Sequence, residues 1–336
     1  MLMQCSYNAN SWDAGHVSLP RPQAFGISQG CPLSPFLFVM VMTVLIHDAK
    51  AKLQDSDCFT ATGRLCVQEL LYADDTLLVD TDVGVVQTYM DCINDAGAQY
   101  GLAFNWTKLE VLPVRCAALL HTPDGSYVRQ KETMKYLGST LSADGSVATE
   151  INARLGAARA DFQKLSRVWA NASITQRKKL EIFNACVVSK LLYCLQVACL
   201  HTAEFRKLDA FYVRCLRSIA GIKHSYYSRV SNQAVLETMR CLPLSVILRR
   251  RQLLYIADIA RKPASHPLRD SVFEPGTYKL KSFEGSRKRG RPRATWAEQV
   301  WSTAVQISGN EDSLAALWAD TPAARKAWAS IVSSYL

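Results

Sequence analysis

Residues 69–79 read ELLYADDTLLV, and they set two adjacent carboxylates inside an otherwise apolar run. Few other segments restrict the local fold so tightly. The flanks 69–72 and 76–79 are apolar, aromatic and β-branched enough to predict two short strands, with Ala73-Asp74-Asp75 as the tight connection. Successive side chains of a regular strand point to opposite faces, so only a turn projects both aspartates, or the first alone, into one space. Two readings follow. Asp is a common turn former, which allows a solvated hairpin tip. Hard carboxylate oxygens on a stiff hairpin also suit a site holding Mg²⁺ against substrate phosphates. The segment alone leaves both open.

The remaining chain narrows the choice. Its 336 residues suffice for a substantial core and two or three domains. The longest apolar run, residues 35–46, is too short for a membrane span and reads as a buried helix. The first residues lack the basic and apolar regions of a signal peptide, and no membrane association is expected. Eleven scattered cysteines, an odd number in mostly apolar surroundings, suggest reduced thiols and a nuclear and cytoplasmic protein. Cys194, Cys199 and His201 lack paired Cys-x-x-Cys spacing and read as core packing rather than as a zinc site.

Charge is distributed unevenly. Residues 1–110 carry 5 Lys/Arg against 12 Asp/Glu, whereas 111–248 carry 19 against 9 and 249–293 carry 13 against 4. An acidic first third before a basic remainder suits a protein that concentrates cations at one site and lays a polyanion along another; a solvated basic face gives the same count.

Ser34-Pro35 predicts a helix start, with Ser as N-cap and Pro in the first position, running to about Ala51. A second helix is predicted over 83–101, short strands over 102–106 and 110–114 around a polar link bearing Lys108, and a strand and turn over 136–145. From Glu150 the pattern becomes helical, with Ile151, Leu155, Ala158, Phe162 and Leu165 at three- and four-residue intervals. Further helices are predicted over 175–200, 204–220, 244–261, 294–307 and 322–334, and 263–293 reads as a basic linker rich in Pro and Gly.

Residues 27–38, ISQGCPLSPFLF, followed by LYADD at 71–75, resemble the reverse transcriptases of LINE-type non-LTR retrotransposons. The likeness continues through Gly101-Leu102 with Asn105 and Lys108, through Lys135-Tyr136-Leu137-Gly138 and the LLYC and FYVRCLRSIAGI helices, to GRPRATW. It implies an α+β fold, a partial polymerase palm of antiparallel sheet with helices, followed by an all-α thumb-like and C-terminal helical region. The corresponding domains are 1–145 for the palm, 146–262 for the thumb-like and connection region, 263–293 for the linker and 294–336 for the short C-terminal helices.

The resemblance also implies RNA-directed DNA polymerase chemistry, with an RNA template, a DNA primer and dNTP as partners. Asp74 and Asp75 would be metal ligands for two Mg²⁺ ions, or Mn²⁺, in a complete palm. Gln29, Gly30, Ser34 and Tyr72 would line the nucleotide and template site. Lys108 would sit near the triphosphate as charge neutraliser or proton donor, although Leu109 replaces the Thr or Ser usual after that Lys, which leaves a plain surface lysine open. Tyr136, Leu137 and Gly138 resemble a primer-grip turn, whose alternative is a core hairpin. Arg287, Lys288, Arg289, Arg291 and Arg293 resemble a nuclear-localisation cluster or a minor-groove AT-hook segment, with a basic linker as the alternative.

The chain departs from the family in a second respect. A complete palm has a further carboxylate on a strand well before the QGCPLSP loop, and here Asp13, in a polar turn-like stretch, is the only acid before residue 48. The expectation is a truncated fragment with little or no activity alone. The alternative is a non-catalytic RNA- or DNA-binding remnant that uses the basic helical half; a group II intron maturase fits the GRPRATW tail less well.

Overall fold

The computed structural model describes residues 31–54, 68–282 and 295–335. The chain divides into two compact units, 1–131 and 132–336.

The first unit holds helix α1 (Ser34–Gln54), the hairpin of β1 (Gln68–Tyr72) and β2 (Asp75–Val79), and helix α2 (Val83–Gln99). A two-residue parallel pair follows, β3 (Glu110–Val111) with β4 (Arg129–Gln130). Leu45, Ile46, Ala49 and Leu53 of α1 share one face and pack on Tyr89, Ile93 and Ala96 of α2, with Leu78 of β2 against them. Only the second half of α1 is buried this way, and Phe36 and Met40 in the first half stay exposed. Asp82 caps α2 by accepting from Gly84 N at 2.8 Å and Val85 N at 3.3 Å.

At its other end α2 is closed by glycines. Leu102 N donates to the Gly97 carbonyl at 2.9 Å, and a Cβ on Gly97 would lie 2.9 Å from the Leu102 carbonyl oxygen. Gly101 supplies the positive φ that reverses the chain. This curl overrides the strand predicted over 102–106. Phe104 and Trp106 pack edge to face at 5.3 Å, and the chain enters a turn in which Lys108 N donates to Asn105 O at 2.9 Å.

The second unit opens with the antiparallel hairpin of β5 (Thr133–Tyr136) and β6 (Ser139–Ser142), then α3 (Ala148–Lys164) and α4 (Ser166–Ala170). Helix α5 (Gln176–Phe183) widens into a π-helical turn over Asn184–Val188 and closes with Ser189–Leu191. The single helix predicted over 175–200 is therefore interrupted, and Cys194, at φ 60°, reverses the chain after it. Next come α6 (Thr202–Ile219), α7 (Ser225–Ser228), α8 (Asn232–Met239), α9 (Leu244–Ala260), α10 (Pro267–Asp270), α11 (Trp296–Ser308), α12 (Glu311–Trp318) and α13 (Pro322–Ser334).

Two cores stabilise this unit, and α9 spans them. Leu244 and Leu248 join a cluster around Phe183, Leu191 and Leu216, while Leu253, Ile256, Ala257 and Ala260 join one around Phe273, Trp318 and Trp328. Residues 263–282, read from the sequence as part of a linker, belong to the second core: Phe273 is buried against Trp318 and Tyr278. Aromatic burial outweighs the Pro- and Gly-rich composition there. The fold class is α+β as expected, with small sheets in the first part and a mostly helical remainder. Among the described residues, no helix is long and apolar enough to cross a membrane.

Candidate active site

The register pairs Tyr72 with Asp75, Leu71 with Thr76, Leu70 with Leu77 and Glu69 with Leu78. The connection is therefore two residues, Ala73 and Asp74, with Asp75 already in β2, which corrects the three-residue turn read from the sequence. A two-residue hairpin loop needs a positive φ to match the twist of its strands, and Ala73 adopts 53°.

Cross-strand partners share a face. Glu69 and Leu78 face the core, where Leu78 packs between the helices and Glu69 accepts from the Tyr89 hydroxyl and pairs with Lys50. Burial, reinforced by the Glu69 carboxylate, pushes the Tyr89 hydroxyl well above the ordinary tyrosine range. These polar ties clamp the underside of the hairpin to α1 and α2. On the opposite face Tyr72 is 64% exposed, and Asp75, its partner across the ladder, is exposed beside it.

Asp74 at the tip and Asp75 at the strand start are exposed, and among the described residues neither makes an ion pair or side-chain hydrogen bond. Oxygen-only donors of this kind fit Mg²⁺ or Mn²⁺, and Mg²⁺ commonly takes one or two carboxylates and completes its shell with water and phosphate oxygens. Among the described residues, no group of three or more His, Cys, Asp or Glu side chains is placed to hold a metal.

The other expected nucleotide-site residues differ in placement. Ser34 is the first residue of α1 and is buried, its N–H donating to the Cys31 carbonyl at 3.1 Å, a helix-start role. Lys108 is exposed in the 105–108 turn and forms no ion pair with Asp74 or Asp75. Gln29, Gly30, Asp13, Arg287, Lys288, Arg289, Arg291 and Arg293 lie outside the described residues.

The Tyr136-Leu137-Gly138 segment belongs to the second unit. It forms the two-residue turn of the β5–β6 hairpin, with Leu137 at φ 46° and Gly138 at 75°. Its carbonyls are tied down: Tyr193 Oη donates to Leu137 O at 2.9 Å, and the Arg154 guanidinium donates to Gly138 O and lies 4.7 Å from the centre of the Tyr193 ring. Arg154 Nε in turn donates to Glu150 at 2.6 Å, and Glu150 accepts from Thr140 N at 2.8 Å. Burial alone would raise the Glu150 carboxyl, but the Arg154 guanidinium and the Thr140 N–H together hold it below its ordinary value.

Gly138, Arg154, Ser189, Lys190 and Tyr193 line an open cleft of about 390 Å³ beside this turn. Lys190 pairs with Asp161 at 2.7 Å. Neither Arg154 nor Tyr193 stands out in the sequence as a partner of residues 137–138. Tyr193 lies in the LLYC stretch of the likeness and Arg154 on the non-apolar side of the α3 pattern, but neither signal points to the turn, because the partners come from distant segments.

Residues 6–141 match the family model described as Reverse transcriptase (RNA-dependent DNA polymerase). That stretch includes Gln29, Gly30, Ser34, Tyr72, Asp74, Asp75, Lys108 and the grip-like turn, and it carries the sequence pattern of a reverse transcriptase domain. Comparison with curated proteins finds no match.

Proposed function

We propose that the chain is part of an RNA-directed DNA polymerase of the non-LTR retrotransposon type, acting on an RNA template, a DNA primer and dNTP. The observation that carries the reading is the pair of exposed carboxylates, Asp74 and Asp75, at the tip of a hairpin clamped from beneath by Glu69, Lys50 and Tyr89, within the stretch that has the reverse transcriptase pattern.

In this reading Asp74 and Asp75 hold Mg²⁺, which when bound activates a primer 3′-hydroxyl and stabilises the leaving pyrophosphate in an in-line displacement. The chain's own contribution is rigidity, because a metal site works only when its ligands are held to a fraction of an ångström. Lys108 neutralises triphosphate charge, Tyr72 stands beside the nucleotide, and the Tyr136-Leu137-Gly138 turn orients the primer terminus. The basic helices hold a duplex through its phosphates, giving a salt-dependent and sequence-tolerant affinity. A two-ion site needs another carboxylate, and none joins Asp74 and Asp75 among the described residues. Because Asp13 is the only acid before residue 48, the reading includes weak or absent extension by these 336 residues alone.

Two measurements test it. Mn²⁺ binding followed by electron paramagnetic resonance should be present in the wild type and lost in Asp74→Ala and Asp75→Ala; equal binding by the variants refutes the metal assignment. Incorporation of dTTP on an oligo(dT)-primed poly(rA) template should be slight. Strong Mg²⁺-dependent extension abolished by Asp74→Ala would establish the polymerase and refute the incompleteness.

The non-catalytic alternative draws support from the charge distribution of the helical half. It predicts primer–template binding with a steep salt dependence, unchanged in Asp74→Ala, and no Mn²⁺ at the hairpin.

A further inference from the structure

The segment joining α6 to α8 carries an unusual surface. Residues 221–230 read GIKHSYYSRV, and Tyr226 and Tyr227 are 69% and 75% exposed, the two most exposed among the large hydrophobic side chains described. Their rings meet edge to face, 5.3 Å apart at 89°, and the Arg229 guanidinium lies 5.7 Å from the centre of the Tyr226 ring. Lys223 and His224 are exposed beside them.

The segment is held at both ends. Ile222 and Val230 pack against the first core of the unit, and Arg217, itself buried, donates to Val230 O at 2.7 Å and Asn232 Oδ1 at 3.1 Å. Within the segment, His224 Nδ1 accepts from Tyr226 N at 3.3 Å, and Arg229 N donates to Ser225 O at 3.0 Å. Arg229 adopts φ 57°, the left-handed conformation that commonly ends a helix, here α7.

Charge points the same way. Residues 210–236 contain Arg214, Arg217, Lys223 and Arg229 and no carboxylate. Exposed aromatic faces on a preorganised basic loop are what unpaired bases and their phosphates require: rings take the bases, and cations take the backbone. Perpendicular rings do not fit the continuous stack of a duplex, but they accept bases splayed from a single strand.

We propose that Tyr226 and Tyr227, with Lys223 and Arg229, form a stacking site for single-stranded nucleic acid. The inference stands apart from the polymerase reading, since it needs neither Asp74 nor a metal.

Fluorescence anisotropy tests it with the full chain in EDTA, using labelled oligouridylate, oligothymidylate and a duplex as probes. Tyr226→Ala/Tyr227→Ala should weaken single-strand binding on the order of tenfold or more, from the worth of base–aromatic stacking. Duplex binding should be nearly unchanged. Tyr226→Phe/Tyr227→Phe should bind as the wild type, because the ring carries the contact. Lys223→Gln/Arg229→Gln should lower the slope of log affinity against log salt by about 1.4, from about 0.7 per phosphate contact on a single strand.

The two oligonucleotides distinguish the strand: a preference for oligouridylate assigns RNA, and equal affinity assigns either. The site is overturned if the alanine pair binds single strands as tightly as the wild type, or if single-strand and duplex binding fall together. Tyrosine-dependent binding to phosphatidylserine vesicles without oligonucleotide binding would overturn it in favour of a membrane surface. Melting temperatures should not move, since both rings lie in solvent.

Discussion

The Tyr193 hydroxyl donates to the backbone carbonyl of Leu137 at 2.9 Å, joining the end of the α5 segment to the tip of the β5–β6 hairpin. Leu137 occupies a left-handed conformation that two-residue hairpin turns reserve for Asn, Asp or Gly. Leu137→Asn should therefore raise the stability of this unit by about 0.5–1 kcal/mol. Tyr193→Phe, which removes the hydrogen bond and keeps the ring, should lower it by about 0.5–1.5 kcal/mol. Urea denaturation reads both; a destabilised Leu137→Asn refutes the strain argument.

Glu150 ties the same turn to pH. Its folded-state pKa is depressed, so its contribution is present above the unfolded value near 4.5 and is lost as pH falls through the folded value. Wild-type stability should decline below about pH 4.5 more steeply than that of Glu150→Gln. Near neutral pH the variant should be weaker by about 1–3 kcal/mol, since it leaves Arg154 without a carboxylate partner. Parallel acid limits for the two proteins would exclude the pair as a source of the pH dependence.

Glu69 holds the carboxylate hairpin through Lys50 and Tyr89. Glu69→Ala removes both ties and should speed amide hydrogen exchange across β1 and β2 while leaving α9 unaffected, with a loss of about 1–3 kcal/mol in the first unit. Unchanged exchange at Leu70–Leu78 would show that Leu78 packing alone fixes the hairpin.

Trp328 is fully buried in the second core of the helical unit and donates Nε1 to Leu253 O at 3.1 Å. Trp328→Ala should cost about 3–5 kcal/mol. Exchange should rise in the latter half of α9 and in α12 more than in α6, because Leu244 and Leu248 of α9 belong to the other core. Uniform loss of protection across the unit would mean that the two cores unfold as one.

The amino-acid sequence by itself determined the local elements whose signals are short-range. The YADD hairpin, the helix begun at Ser34-Pro35, the glycine stop after α2 and the periodic face of α3 follow from turn chemistry and apolar spacing, which act over a few residues. It also carried the reverse transcriptase pattern around Asp74 and Asp75. Tertiary structure decided what spacing cannot encode. Phe273 left a linker-like stretch because Trp318 and Tyr278 offered an aromatic core; residues 102–106 gave up a strand because Leu102 closes on Gly97; and Arg154 and Tyr193 reached the 137–138 turn from segments far along the chain. Each of these outcomes depends on partners distant in sequence, and only packing brings such partners within hydrogen-bond or van der Waals range.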